Sequence, residues 1–350
     1  MKWEYKTLDQ LGTVSRGKSK HRPRNDPKLF GGKYPFIQTA DVKNADYYIT
    51  KYSDTYNESG LAQSKLWDKG TLCITIAANI ADTGVLAFPA CFPDSIMGFV
   101  PFEGVANTRF IKYCFDRLQR DCKQISQGTA QDNLSWEKLS TIKFCIPEYK
   151  EQCRIADILS AYDDLIENNQ KQIKLLEEAA QRLYKEWFVD LRFPGHENTK
   201  IVDGVPEGWS RGLLKELISV NYGKDHKKAP DDGNIPVYGS GGLMRKCNKS
   251  LFSGEAVLIP RKGSLNNIMY VDETFWTVDT MFYATMKQPH TAVFVYFFVK
   301  AFDMYSMNIG AAVPSMTTKI LDAMDVVIPD KETLEKFDKC AKTYFNKIKT

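Results

Sequence analysis

The chain has 350 residues, 43% apolar and 26% charged, enough for two ordinary globular domains with cores of their own. No run approaches the roughly 18 apolar residues of a membrane span, and MKWEYKTLDQ lacks the pattern of a signal peptide. A net charge of +4 is too mild to imply a nucleic-acid partner, so such a reading depends on where the cations cluster.

The first stretch, residues 1–147, reads as a mixed α and β domain. Trp3, Leu8, Leu11 and Val14 lead into a basic run holding Arg16, Lys18, Lys20, Arg22 and Arg24, which Gly17 and Pro23 keep out of a helix. YPFIQT (34–39) and TLCITIA (71–77) are strand-like, being rich in β-branched and aromatic residues. Residues 107–125 form a helical pattern with Phe110, Tyr113, Cys114 and Leu118 on one face. Then QGTAQDN (127–133) leads towards a short helix.

Residues 148–190 carry a long uninterrupted helix. Ile155, Leu159, Tyr162, Ile166, Asn169, Ile173, Leu176, Ala180, Leu183 and Trp187 recur at alternating steps of four and three, the period of a helix packed on another helix. Pro147 stands ahead of it, and about 42 residues at 1.5 Å each make a rod of roughly 60 Å. Asn169 in such a seam is a register device. Residues 191–208, with three glycines and two prolines, are an ordered linker.

Residues 209–329 repeat the first domain. Trp209, Leu214, Leu217, Val220, Gly223 and Lys224 follow the order and spacing of Trp3, Leu8, Leu11, Val14, Gly17 and Lys18. GNIPVYGSGGL (233–243) answers GKYPFIQTADV (32–42), and GAAVPSMTTKILDAMDVVIP (310–329) answers GTAQDNLSWEKLSTIKFCIP (128–147). Three matching segments in the same order mark a tandem duplication. Strands are expected over 235–240, 255–260 and 275–285, and a helix over 290–304. In residues 330–350, Leu334, Phe337, Ala341, Tyr344 and Ile348 return to the three-four steps, with Phe337 answering Ile155 and Tyr344 answering Tyr162. The fold class is therefore α+β: two globular domains separated by long antiparallel, coiled-coil-like helices. The C-terminal helix is expected to cover the first half of the long one. Ile173 to Trp187 is left without a partner in the chain, so that face is expected to be covered by another subunit or by self-association with a second copy.

Catalytic signatures are missing: there is no P-loop, GSGG (239–242) lacks dinucleotide spacing, and the four histidines form no HExxH or triad context. Eight scattered cysteines without a CxxC pair read as reduced, mostly buried thiols of a cytoplasmic protein, with no metal site. Basic loops are better candidates. Lys224, Lys227 and Lys228 stand where Lys18 and Lys20 stand in the first copy, and Arg245, Lys246, Arg261 and Lys262 follow in later loops. Flexible basic loops suit phosphate contacts, and Arg, Asn and Gln on them can read base edges. Gln38, Thr39, Tyr238 and Ser240 in the polar turns, with Gln127, Gln131 and Asn133, complete the expected DNA face. The bland alternative for these turns is helix capping and turn chemistry.

These features resemble the DNA-specificity subunits of type I restriction-modification systems over essentially the whole chain. The resemblance rests on two Trp-led segments, on the I-P step into a helix in each copy, and above all on RLYKEWFVDLRFPG (182–195) followed by VPEGW (205–209). It implies a noncatalytic subunit whose two domains each read half of a bipartite target in double-stranded DNA. The helices would set the spacer and dock two modification (adenine methyltransferase) subunits, with restriction subunits joining them. AdoMet, ATP and Mg would belong to those partners, so no cofactor, metal or membrane is expected on this chain. One departure is that the second helix ends early, which points to a truncated or naturally short C-terminus. The rival reading is a coiled-coil scaffold with twin β-rich domains binding protein or carbohydrate.

Overall fold

The computed structural model describes residues 3–76, 82–125, 136–307 and 315–349. Contacts gather the chain into two compact units, Met1–Asn168 and Asn169–Thr350. Gln127, Gln131 and Asn133 lie outside the described residues.

In the first unit a five-stranded sheet runs in the order Gly12–Arg16, Ile96–Pro101, Leu72–Thr75, Thr83–Leu86 and Tyr48–Ile49. Its middle strand is apolar on both faces, and Leu72, Cys73 and Ile74 are all fully buried. A four-stranded sheet orders Asp54–Tyr56, Phe30–Phe36, Ala90–Cys91 and Leu66–Trp67. In the second unit one sheet holds six strands: Ile218–Tyr222, Met281–Met286, Phe252–Pro260, Met269–Thr277, Ile235–Gly239 and Gly242–Cys247. The helix Ala292–Lys300 is apolar almost all round because it is enclosed on most sides, and seven of its residues are buried.

The duplication is visible in the backbone. Glu4–Lys6 pairs antiparallel with Phe144–Ile146, as Ser210–Leu213 pairs with Asp325–Ile328. Leu8 and Leu11, like Leu214 and Leu217, are fully buried. Phe36 and Val237 each make a parallel contact in their unit, with Cys91 and Trp276. Gly17 and Gly223 donate to the carbonyls of Ile96 and Met281 at 2.8 and 3.0 Å. A Cβ at these glycines would lie 2.3 Å from the Pro93 carbonyl oxygen and 2.0 Å from that of Val278, so no other residue fits the close approach.

Three expected elements differ. The strand read over 34–39 is Phe30–Phe36, and Thr39 begins a short helix, Thr39–Lys43, capped by reciprocal bonds between Gln38 and Asp41. Residues 275–285 are split between two strands by a turn at 278–280. The linker contains a hairpin, Ile201–Val202 with Val205–Pro206, whose turn residues Asp203 and Gly204 both take positive φ, 52° and 75°.

The long helix runs from Tyr149 to Tyr184 and ends in a wider π turn, Lys185–Val189. In the first unit it packs beside the helix Thr108–Ile125: Arg109 donates to Ser160 at 3.1 Å and the Tyr113 hydroxyl donates to Asp163. Gln152, almost fully buried, accepts from the Asn107 N–H at 3.0 Å and donates to the carbonyls of Val105 and Pro147, both at 3.0 Å.

In the second unit the helix end meets the C-terminal helix, Lys331–Lys349. Rings of Tyr184, Trp187 and Phe188 surround Phe337 at centroid distances of 6.2, 5.8 and 4.8 Å. Leu175, Ala179 and Leu183 instead share a cavity with Tyr344, so the two helices run antiparallel.

This corrects the expected seam. The C-terminal helix covers Ala180, Tyr184 and Trp187, the end expected to be bare. Ile155 is half-buried in the first unit's core, whereas Leu159, Tyr162, Ile166 and Ile173 are 39, 65, 55 and 37% exposed and Asn169 is exposed. Leu176, Leu183 and Ile348 are half-buried. The cause is the aromatic cluster: each buried aromatic ring removes about 150–250 Å² from water, more than an Ile or Leu of the middle stripe could.

Trp209 shows the same asymmetry. It is buried against Phe188 and Phe193, and its Nε1 donates to Asp330 at 2.9 Å, while its counterpart Trp3 is 45% exposed. Burial alone would raise the Asp330 carboxyl, but hydrogen bonds from Thr333 and Trp209 hold it below its ordinary value. The ionised group thereby caps the C-terminal helix.

Candidate nucleic-acid interface

In each unit the loops at one end of the main sheet are tied together by backbone hydrogen bonds. In the first, the Lys18 N–H donates to the Phe92 carbonyl at 3.0 Å, Ile37 to Cys91 at 2.8 Å and Ile76 to Ser95 at 3.1 Å. In the second, Lys224 donates to Thr277 at 2.9 Å, Val278 to Tyr238 at 3.0 Å and Arg261 to Thr280 at 2.8 Å. The predicted basic and polar turns of each unit are thus brought to one edge by the same geometry.

The first unit's basic loop is held from beneath. The Ser64 hydroxyl donates to the Lys18 carbonyl at 2.7 Å, the His21 N–H donates to the Gln63 side chain at 3.0 Å, and His21 pairs with Asp26 at 2.9 Å. Arg16, Lys18 and Lys20 are exposed, without an ion pair among the described residues. Arg22 and Arg24 are not free: Arg24 Nη2 donates to both oxygens of Asp94 at 2.6 and 2.8 Å, and Arg22 lies 3.8 Å from the same carboxylate while donating to the carbonyls of Ser19 and His21. Gln38 donates to Asp54 at 2.6 Å, and Thr39, half-buried, opens the capped helix. These two therefore carry the turn chemistry of the bland reading.

In the second unit Lys224, Lys227, Lys246 and Lys262 are exposed. Lys228 lies in the short turn His226–Lys228. Arg245 has a structural task, donating to the carbonyls of His226 and Ala229 and pairing with Asp231, which staples the basic loop to the strand Gly242–Cys247. Burial, reinforced by Glu273, pushes the Tyr238 phenol up, so its hydroxyl stays a donor to that carboxylate at 2.6 Å. Ser240, half-buried, accepts through its carbonyl from Asn267 at 2.8 Å. The Arg261 guanidinium lies 5.6 Å over the ring of Tyr222.

Sequence reasoning missed two aromatics at this edge. Tyr222 is 54% and Tyr305 44% exposed, and the Tyr305 hydroxyl donates to the Gly263 carbonyl at 2.9 Å. For Tyr222 the signal was available: an aromatic immediately before the Gly-Lys that opens a basic loop, suited to stacking or cation–π contact. Among the described residues no group of His, Cys, Asp and Glu could hold a metal ion, and no helix is long and apolar enough to cross a membrane.

The model of the type I restriction modification DNA specificity domain matches the chain twice, over residues 1–178 and 206–349. The chain is 24% identical to the Type I restriction enzyme MjaIX specificity subunit of Methanocaldococcus jannaschii, over 99% of this chain and 87% of that protein. It is 23% identical to the Type I restriction enzyme EcoR124I/EcoR124II specificity subunit of Escherichia coli, over 54% of this chain and 48% of that one. Among solved structures, the S subunit of a type I restriction-modification system from M. genitalium has the same fold. Its TM-score is 0.65 at 18% identity, covering 100% of this chain and 91% of that one.

Proposed function

Because the chain belongs to the type I restriction modification DNA specificity family, as a noncatalytic specificity subunit, we propose that each of its two units reads one half of a bipartite target in double-stranded DNA. The observation that carries this is the repetition of one loop edge in two units: the same Gly-Lys corner, tied to the same turn, furnished with exposed cations. The helix Tyr149–Tyr184, about 54 Å long at 1.5 Å per residue, joins them without an internal Gly or Pro. It would fix the unspecified spacer between half-sites, and its exposed middle would dock two modification subunits, which supply AdoMet and methylate adenine. ATP and Mg would enter with restriction subunits. Self-association through the exposed stripe Leu159–Ile173 belongs to the same proposal, moved from the face expected at first.

Methylome sequencing of cells with and without the gene tests this reading. Loss of one bipartite adenine mark is expected, and an unchanged methylome would favour a scaffold binding protein or carbohydrate. A finer test addresses the loops. Replacing Lys18 and Lys20 by Ala should weaken binding across all sequences and lower the slope of log K against log salt by about 2, near 0.9 per lost phosphate contact. An unaltered slope in a filter-binding titration would remove these lysines from the interface.

A further inference from the structure

This inference rests on the DNA-recognition reading and names the side chains that read a base. In the first unit, the strand Gly12–Arg16 ends on Arg16, opposite Met97. In the second, the equivalent strand Ile218–Tyr222 ends on Tyr222, opposite Phe282. The second copy thus has an exposed tyrosine where the first has an exposed arginine, immediately before the repeated Gly-Lys corner. Yet the second unit has not lost its guanidinium there. Arg261, arriving from another loop, lays its guanidinium 5.6 Å over the Tyr222 ring. Each unit therefore presents an arginine fork at the end of its first sheet strand, from two unrelated sequence positions.

The backbone at Arg261 is fixed on both sides. Its N–H donates to the Thr280 carbonyl at 2.8 Å, and its carbonyl accepts from the Met316 N–H at 2.9 Å. The side chain is under-used: its one hydrogen bond among the described residues is a long contact of 3.4 Å to the Asp279 carbonyl. Arg24 and Arg245 differ, because one guanidinium nitrogen of each is already paired with a carboxylate, Asp94 and Asp231 respectively. A guanidinium pre-positioned on an aromatic face and free of a carboxylate loses little entropy on binding a planar acceptor pair. The same edge already supplies exposed lysines as point charges for phosphate, which leaves these two guanidinium groups available for a planar acceptor pair. We propose that Arg16 and Arg261 each read a guanine, in the first and second half-site respectively, by donating two parallel hydrogen bonds to O6 and N7 in the major groove.

Selection from a random duplex library by the full chain, followed by sequencing of the bound fraction, tests this. Arg261→Lys keeps the charge and removes the fork. The expected result is loss of at least about tenfold discrimination for one guanine of one half-motif, the other half-motif unchanged. Arg16→Lys should do the same in the opposite half. Continued selection of the other bases of the affected half-motif shows in each case that the mutated unit is folded. If both variants return the wild-type motif, with or without weaker binding, the arginines touch phosphate or nothing and the inference is overturned. A wild-type chain that selects no motif overturns the DNA-recognition reading itself, and this inference with it.

Discussion

Phe337→Ala is expected to lower the stability of the second unit by about 3–5 kcal/mol, whereas Tyr162→Ala should change it by less than about 0.5 kcal/mol. Both positions lie on the three-four stripe of the helix in their respective copies, so the sequence pattern assigns them equal weight. Their surroundings do not. Phe337 is fully buried within the rings of Tyr184, Trp187 and Phe188, and truncation leaves a cavity that these rigid rings close poorly. Tyr162 is 65% exposed, and its removal costs little packing. Urea unfolding followed by tryptophan fluorescence reports on this cluster, since Trp187 and Trp209 lie in it. Equal losses at the two positions would mean that the long helix is covered along its middle, contrary to the geometry described above.

Deleting one heptad, residues 166–172, from the long helix should leave both half-sites intact and shorten the tolerated spacer by about three base pairs. Seven residues remove about 10 Å of helix, against 3.4 Å of rise per base pair. Because seven residues are close to two full turns, the flanking segments keep their rotational phase to within about 20°. The deleted residues are mostly exposed, so little core is lost. Methylome sequencing with the deletion variant reads half-sites and spacer together. A constant spacer with altered half-sites would end the proposal that helix length measures DNA.

The duplication was legible because its anchors are residues that packing cannot exchange. Gly17 and Gly223 sit where a Cβ would collide with a carbonyl, and Leu8, Leu11, Leu214 and Leu217 are fully buried. The long helix was legible from its period and its freedom from Gly and Pro. What the pattern could not settle was which end of that helix is covered. The deciding quantity is the burial of aromatic area around Phe337, which depends on side chains from four separate segments. Likewise, a row of arginines looks uniform as text. Only the fold shows that Arg24 and Arg245 are held by Asp94 and Asp231 while Arg16 and Arg261 are not, because those carboxylates arrive from distant or differently turned parts of the chain.

That pairing bears on how the molecule would travel along a genome. A cation already sharing a carboxylate gains little by exchanging it for a passing phosphate, so Arg22, Arg24 and Arg245 add little grip on random sequence. Grip on non-cognate duplex would then rest on the exposed lysines and fade as salt rises. Prolonged residence would be reserved for sites where the two uncommitted forks also find their bases.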